Sequence, residues 1–330
     1  MNSPGKWWDK PWNPTYGCTE VSEECRKCWA RSMDARFHKG EPFSHVRTMP
    51  HLLDKPLGNS TPTRYFVCNM SDLFHEKIPT DYIHEVYAVM TFAHWHQFFV
   101  CTKRADRALE FFTDPDCYER RRAAADRVLA RNPKLTRYVG ISDPSVIPPR
   151  NIAFGVTAGN QRRANERIPI ALRIPAAKIF VSYEPALGPI DFTEIELPEQ
   201  YNLQPGVPAH INALTEADDD HFLNDHRKLD WIIAGGENDS DAAECDLAWL
   251  RWTISQGASF DVDVLIKQLG SRPVERGKDL SKWPEYVRLE GDGFGKYHVF
   301  GIKSRAGKVP SEWPEDLRVQ QMLTMTGEDS

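Results

Sequence analysis

What the chain lacks narrows its class first. No apolar run approaches the ~18 residues that a membrane-crossing helix needs, so no membrane partner is expected. The start, MNSPGKWWDKPW, is without the basic-then-apolar layout of a signal peptide, and the expected compartment is the cytoplasm. Cysteine is sparse and odd in number, seven in 330 residues, which argues against a disulfide scaffold. Positive charge is in deficit: 41 Lys and Arg against 47 Asp and Glu leave a net charge of −6. That excludes nucleic-acid attraction driven by overall charge, though not a local basic channel. Tandem repeats and low-complexity linkers are also missing. What remains is the composition of a globular protein, 41% hydrophobic and 27% charged. Its one excess is tryptophan, and three of the ten (Trp7, Trp8, Trp12) crowd the start, where packing is a better expectation than base stacking.

Short, continuously apolar runs recur along the chain, each ending in polar or glycine residues. They are Tyr65–Leu73, Gln97–Lys103, Asn151–Gly159, Lys178–Pro185, Asp230–Glu237 and Val262–Gly270. Unbroken apolar character suits strands covered on both faces, as in parallel sheets. Helical patterns lie between them, at Thr80–Ala93, Ala105–Thr113, Gln161–Leu172 and Ala242–Gln256, and a further helix is expected in the tail after Lys303. Strand–helix alternation predicts an α/β fold with right-handed crossovers, either a doubly wound sheet or a (β/α) barrel. Side chains able to do chemistry cluster where the strands end, as on the rim of a catalytic barrel. One domain is expected over residues 1–330, with 114–150 and 192–228 as insertions capping the barrel.

Three cysteines need a chemical explanation. Cys18, Cys25 and Cys28 fall within eleven residues, spaced C-x6-C-x2-C. Clustered thiolates suit a [4Fe–4S] cluster. Three protein ligands leave one iron free to chelate the amino and carboxylate groups of S-adenosylmethionine. The competing explanation is zinc, which prefers four ligands; His38 is the nearest histidine available as a fourth.

The segment Trp12-Asn13-Pro14-Thr15-Tyr16-Gly17-Cys18 with Cys25-Arg26-Lys27-Cys28-Trp29-Ala30 resembles the opening of a bacteriophage and prophage protein family that is itself radical-SAM-like and has no agreed substrate. The likeness continues in order through NMSDLF (Asn69–Phe74), CTKR (Cys101–Arg104), GVTAGNQRRANERIP, SYEPALGPID, AGGEN and IKQLG. It implies a partial (β/α) barrel with parallel strands, a [4Fe–4S] cluster, S-adenosylmethionine and an electron donor of flavodoxin or ferredoxin type. It also implies a nucleotide or nucleic-acid base as substrate, in a host cytoplasm if the chain is phage-encoded. Three departures stand out. The first cysteine spacing is wider than the common C-x3-C, Trp29 stands where Tyr is usual, and the Gly235-Gly236-Glu237 triplet follows a late strand instead of the second.

By position, Asn69, Ser71 and Asp72 are the candidates for the methionine end of the cofactor. The triplet Gly235, Gly236 and Glu237 resembles the radical SAM motif that binds the cofactor's amino group, which makes it a candidate to bind the cofactor or, from its late strand, to approach substrate. Lys103 is placed to neutralise a carboxylate or phosphate. Glu184 and Lys267 sit in apolar runs, where an unpaired charge is costly. They are the candidate catalytic pair, with Glu237 an alternative partner for Lys267. The arginines Arg120, Arg121, Arg122, Arg127 and Arg131 suggest a phosphate-gripping helix or simply a solvated face. Two other readings stay open: a zinc-stabilised binding or accessory protein, and a metal-dependent hydrolase or nuclease using Asp72, Glu184 and Glu237.

Overall fold

The computed structural model describes residues 6–37, 40–138, 149–201, 206–216, 227–276, 282–284, 287–291, 293, 295–304 and 307–325. Seven strands form one sheet: β1 (Lys10–Trp12), β2 (Arg64–Val67), β3 (Gln97–Thr102), β4 (Ile152–Thr157), β5 (Lys178–Tyr183), β6 (Trp231–Gly235) and β7 (Asp263–Gln268). Their order across the sheet is their order in the chain. The parallel register sets Trp12 beside Val67, Val67 beside Val100 and Val100 beside Phe154, then Val181 beside Ile232 and Ile232 beside Val264. Strands laid down one after another and always on the same side curl the sheet into half a barrel, with helices as crossovers. The α/β, parallel, partial-barrel class expected from the sequence is the one observed.

The apolar runs became strands because both faces are covered. Every residue of β4 and of β6 is buried. The strand that periodicity missed is β1, which is three residues long and contains Pro11. Proline lacks a ladder donor but is tolerated at a sheet edge, and β1 is the edge strand.

The crossovers include α1 (Trp29–Phe37), α2 (Thr80–Phe92), α3 (Ala105–Thr113), α4 (Cys117–Arg131), α5 (Gln161–Ala171) and α6 (Leu247–Ser259). The last starts five residues later than its pattern suggested, because the Asp246 carboxylate accepts the Ala248 N–H at 3.0 Å and caps it there. No α-helix forms after Lys303 among the described residues. Two single 3-10 turns, Pro310–Glu312 and Glu315–Leu317, stand instead, since Pro310 and Pro314 remove donors that a longer helix needs.

Contacts gather in two compact units, one centred on Trp8–Val156 and the other on Phe180–Leu323 with Thr157–Leu172. In the first, the 114–150 segment supplies α4 and a turn at Pro133–Tyr138. In the second, the 192–228 segment supplies a two-residue ladder of Ile195–Glu196 with His210–Ile211; its acidic run Asp218–Asp220 lies outside the described residues. A four-stranded sheet of Cys245–Asp246, Pro273–Glu275, Tyr297–Phe300 and Arg288–Gly291 also belongs there, and no sequence pattern announced it.

The tryptophans serve packing. Trp7 meets Phe180 and Trp231 edge-on, and Trp12 lies against Phe98 while its indole N–H donates to the Leu52 carbonyl at 2.8 Å.

Candidate functional site

The first unit carries the cysteine loop. Leaving β1, the chain passes Asn13 and Pro14 into a two-residue strand, Thr15–Tyr16, paired with Arg47–Thr48. At Gly17 it turns with φ +85°. A Cβ there would come within 2.6 Å of the His45 carbonyl oxygen and 2.7 Å of that of Phe43, so only glycine fits. The loop is gripped from two directions: Gly17 N–H donates to the Met70 carbonyl at 3.2 Å and Cys18 N–H to that of Phe43 at 2.9 Å. Cys25 ends a 3-10 turn (Glu23–Cys25), and its carbonyl accepts from Arg31 at 2.5 Å. Cys28 immediately precedes α1 and accepts the Ser32 N–H at 3.1 Å.

All three thiols are free and partly exposed, whereas Cys68, Cys117 and Cys245 are free and buried. Burial, with Asp72 adding and Arg104 opposing, pushes the Cys18 thiol up to about 11. Among the described residues no three Cys, His, Asp or Glu side chains are arranged to hold a metal ion, and His38 lies outside those residues. By residue type alone the donor set is that of an iron–sulfur group. It offers three thiols without disulfide partners, a loop seated by a glycine cradle, and a cationic N–H directed at one of the sulfurs.

That N–H belongs to Arg104, one residue beyond Lys103 at the end of β3. Its Nη1 lies 3.7 Å from Cys18 Sγ and 3.2 Å from Asp72 Oδ2. Nε donates to Glu76 at 3.0 Å, and Nη2 donates to the Thr19 hydroxyl at 3.0 Å and carbonyl at 3.3 Å. With side-chain exposures of 9% and 8%, Arg104 and Asp72 form a buried ion pair, acceptable because every lone pair is used. Asp72 Oδ1 accepts Phe74 N–H at 3.0 Å and Thr102 Oγ1–H at 2.7 Å, and Oδ2 also accepts Lys103 N–H at 3.2 Å. Asp72 therefore holds the strand ends and aims Arg104. His75, fully buried and made less basic by burial, sits 2.8 Å from the Thr19 hydroxyl and supports the same loop.

Asn69 and Ser71 follow β2. The Asn69 side-chain oxygen accepts from Asn13 at 2.8 Å, while its NH2 has no partner among the described residues. Ser71 donates to the Thr15 carbonyl at 3.1 Å, with the two hydroxyls 2.5 Å apart. The Lys103 ammonium, half-buried beside this network, is without an ion-pair or hydrogen-bond partner among the described residues. Of the candidate cofactor contacts in this unit, Asp72 and Ser71 are spent on architecture, and Asn69 and Lys103 keep donors to offer.

The second unit holds the other candidates. Lys267 Nζ donates to both Glu184 oxygens, at 2.8 and 2.7 Å, so its partner is Glu184 and not Glu237. Gln268 Nε2 adds a bond to Glu184 at 3.1 Å and another to the Gly236 carbonyl at 2.8 Å. Glu237 accepts the Ala243 N–H at 2.6 Å and so closes its own loop. Packing accounts for the glycines: a Cβ on Gly236 would meet the Leu269 oxygen at 2.5 Å, and one on Gly235 the Gln268 oxygen at 2.9 Å, where the ladder between β6 and β7 shifts register.

Sequence reasoning placed Arg104 beside Lys103 at a strand end but gave the role to the lysine, and it passed over His75 and Glu76. The signal was present in the CTKR run, but only the fold shows that its arginine and not its lysine faces the sulfur.

A search of curated proteins and one of solved structures each give no match. A family model, described as a protein of unknown function (DUF5131), matches residues 2–299. On that span, nearly the whole chain, the protein belongs to the DUF5131 family.

Proposed function

We propose that the protein is a radical S-adenosylmethionine enzyme whose [4Fe–4S] cluster is held by Cys18, Cys25 and Cys28. The observation that carries this reading is the trio of free, partly exposed thiols on a glycine-seated loop, with Arg104 directed at Cys18 Sγ. When bound, the cluster would pass one electron, received from a flavodoxin- or ferredoxin-type donor, to S-adenosylmethionine to yield methionine and a 5′-deoxyadenosyl radical.

The chain's own part is binding and orientation. The Asn69 NH2 and the Lys103 ammonium are open donors for the carboxylate at the methionine end of the cofactor. Arg104 is a positioning residue that fixes the Cys18 loop through Thr19 and holds an N–H against the sulfur. Glu184 and Lys267 form a pair able to exchange a proton or grip a polar substrate group. The substrate class in this reading is a nucleotide or nucleic-acid base, drawn from the phage-family resemblance. The helix α4 lends that choice little. Arg120, Arg127 and Arg131 are ion-paired to Asp81, Asp114, Glu85 and Asp54, Arg121 is buried, and Arg122 alone faces solvent without a partner among the described residues. A hydrolytic metal site on Asp72, Glu184 and Glu237 gains no support, since each carboxylate is already occupied by donors of the chain.

The test is anaerobic reconstitution with iron and sulfide, followed by an assay for 5′-deoxyadenosine under reducing conditions. Wild type should turn brown, bind about four irons per chain and release 5′-deoxyadenosine; Cys25→Ala should do none of the three. Stoichiometric zinc with no visible absorption, or product formation that survives Cys25→Ala, would overturn the reading.

A further inference from the structure

Away from the cysteine loop, and within the first unit, α2 and α4 border a small, partly open cavity of about 10 Å³, lined by His84, Tyr87, Ala88, Thr91, Arg121 and Pro149. That is room enough for a water-sized body. Its walls are unusual in what they leave unbonded. Both ring nitrogens of His84, the Tyr87 hydroxyl and Arg121 Nε are buried without a hydrogen-bond partner among the described residues. These side chains are 0%, 5% and 5% exposed, so solvent does not satisfy them. Four polar atoms without partners among the described residues, carried by side chains that line one small cavity, call for an occupant.

Charge decides what. A guanidinium cannot shed its proton, so Arg121 stays cationic however deeply it is buried. No carboxylate of the described residues answers it: its polar neighbours are the Cys117 thiol and the Tyr87 hydroxyl. The carboxylates that act on His84 from nearby, Asp81 and Asp114, are both taken by Arg120, at 3.0 and 3.1 Å. Glu85 is shared between Arg127 and Arg131, at 2.7 Å to each. The Phe112 ring beneath the Arg121 guanidinium, 5.7 Å from its carbon, offers only a weak cation–π contact. His84 does not add a second positive charge. Burial, with Arg121 beside it, pushes its pKa down to about 4, so at neutral pH it presents one N–H and one lone pair.

A water would satisfy some of these donors and leave the charge bare. We propose that the cavity is a binding site for a small monovalent anion of chloride size, held by Arg121 Nε–H, the Tyr87 hydroxyl and a His84 N–H, which neutralises a buried arginine and fastens α2 to α4.

Two measurements on the intact protein test this. Thermal unfolding is followed at constant ionic strength in sodium gluconate, chloride and bromide. The halides should raise the midpoint by ~2–5 °C at roughly 100 mM, and Arg121→Met should unfold at one temperature in all three salts. Crystals grown in bromide should show an anomalous peak within hydrogen-bonding distance of Arg121 Nε and Tyr87 Oη. Equal midpoints in the three salts for the wild type, or a cavity holding only water in bromide crystals, would remove the anion. Should Arg121→Met fail to fold, the wild-type salt series and the bromide map decide alone.

Discussion

Arg104 carries more of the candidate site than any cysteine does. Its guanidinium is shared among Asp72, Glu76, Thr19 and Cys18, so its removal strands a buried carboxylate and frees the loop together. Arg104→Met should lower the unfolding free energy of the metal-free protein by about 3 kcal/mol, measured by urea titration. Iron retained after reconstitution should fall alongside it, and stability matching the wild type would show that the pair is not structural. A second residue-scale expectation concerns acid. His96 is buried; its Nδ1 accepts the Thr63 N–H at 3.1 Å and its Nε2 lies 3.1 Å from the Pro56 carbonyl, an arrangement that needs the neutral ring. Burial, ahead of the hydrogen bonds that oppose it, lowers its pKa below the ordinary histidine value. The unfolded chain therefore takes up a proton that the folded one refuses. Stability is complete above about pH 6.5 and declines as pH falls through the folded pKa. Urea midpoints measured from pH 7.5 down to 5 should show that decline, and His96→Asn, which keeps one acceptor and one donor, should make it shallower, the remainder coming from the buried His75 and His84.

At the level of elements, what the sequence disclosed and what it hid have separate causes. Six of the seven sheet strands and the helices between them were legible, since an apolar run covered on both faces, or an amphipathic stripe, is written in consecutive residues. β1 was not, because three residues with a proline give no period. The small sheet around Pro273–Glu275 was not either, being built from pairings dozens of residues apart. The cysteines and the Glu184–Lys267 pair could be named from residue type and context, whereas Arg104 and the Arg121 cavity depend on which turn a side chain leaves from. The glycine pair after β6 was read as ligand-binding, and the fold supplies a steric reason for it. Gly236→Ala should thus disturb the β6–β7 junction whether or not any cofactor is present. A loss of about 2–4 kcal/mol in metal-free protein is expected, checked by chemical denaturation; a variant as stable as the wild type would return the glycines to a purely ligand-facing role.

For the molecule as a whole, electrostatics limit how a nucleic acid would be met. Net charge is −6, and three of the five α4 arginines are tied to acidic neighbours within the fold. Contact with a polymer should then release few counterions. The slope of log affinity against log salt for single-stranded DNA should be shallower than about −2, read by fluorescence anisotropy between 50 and 200 mM salt. A steep slope would reveal a basic channel and shift the substrate from single nucleotides toward strands.

Strand order also sets a timetable. Cys18 and Arg104 are 86 positions apart, and a ribosome adding ~5–20 residues per second takes roughly ten seconds to cover that distance. Throughout that interval the thiols have left the tunnel without the guanidinium that will face them, exposed to whatever oxidant or metal the cell presents. The earliest part of the site to be made waits for a partner made later, so the oxygen tension during synthesis bears on how many chains reach the folded state with three usable sulfurs.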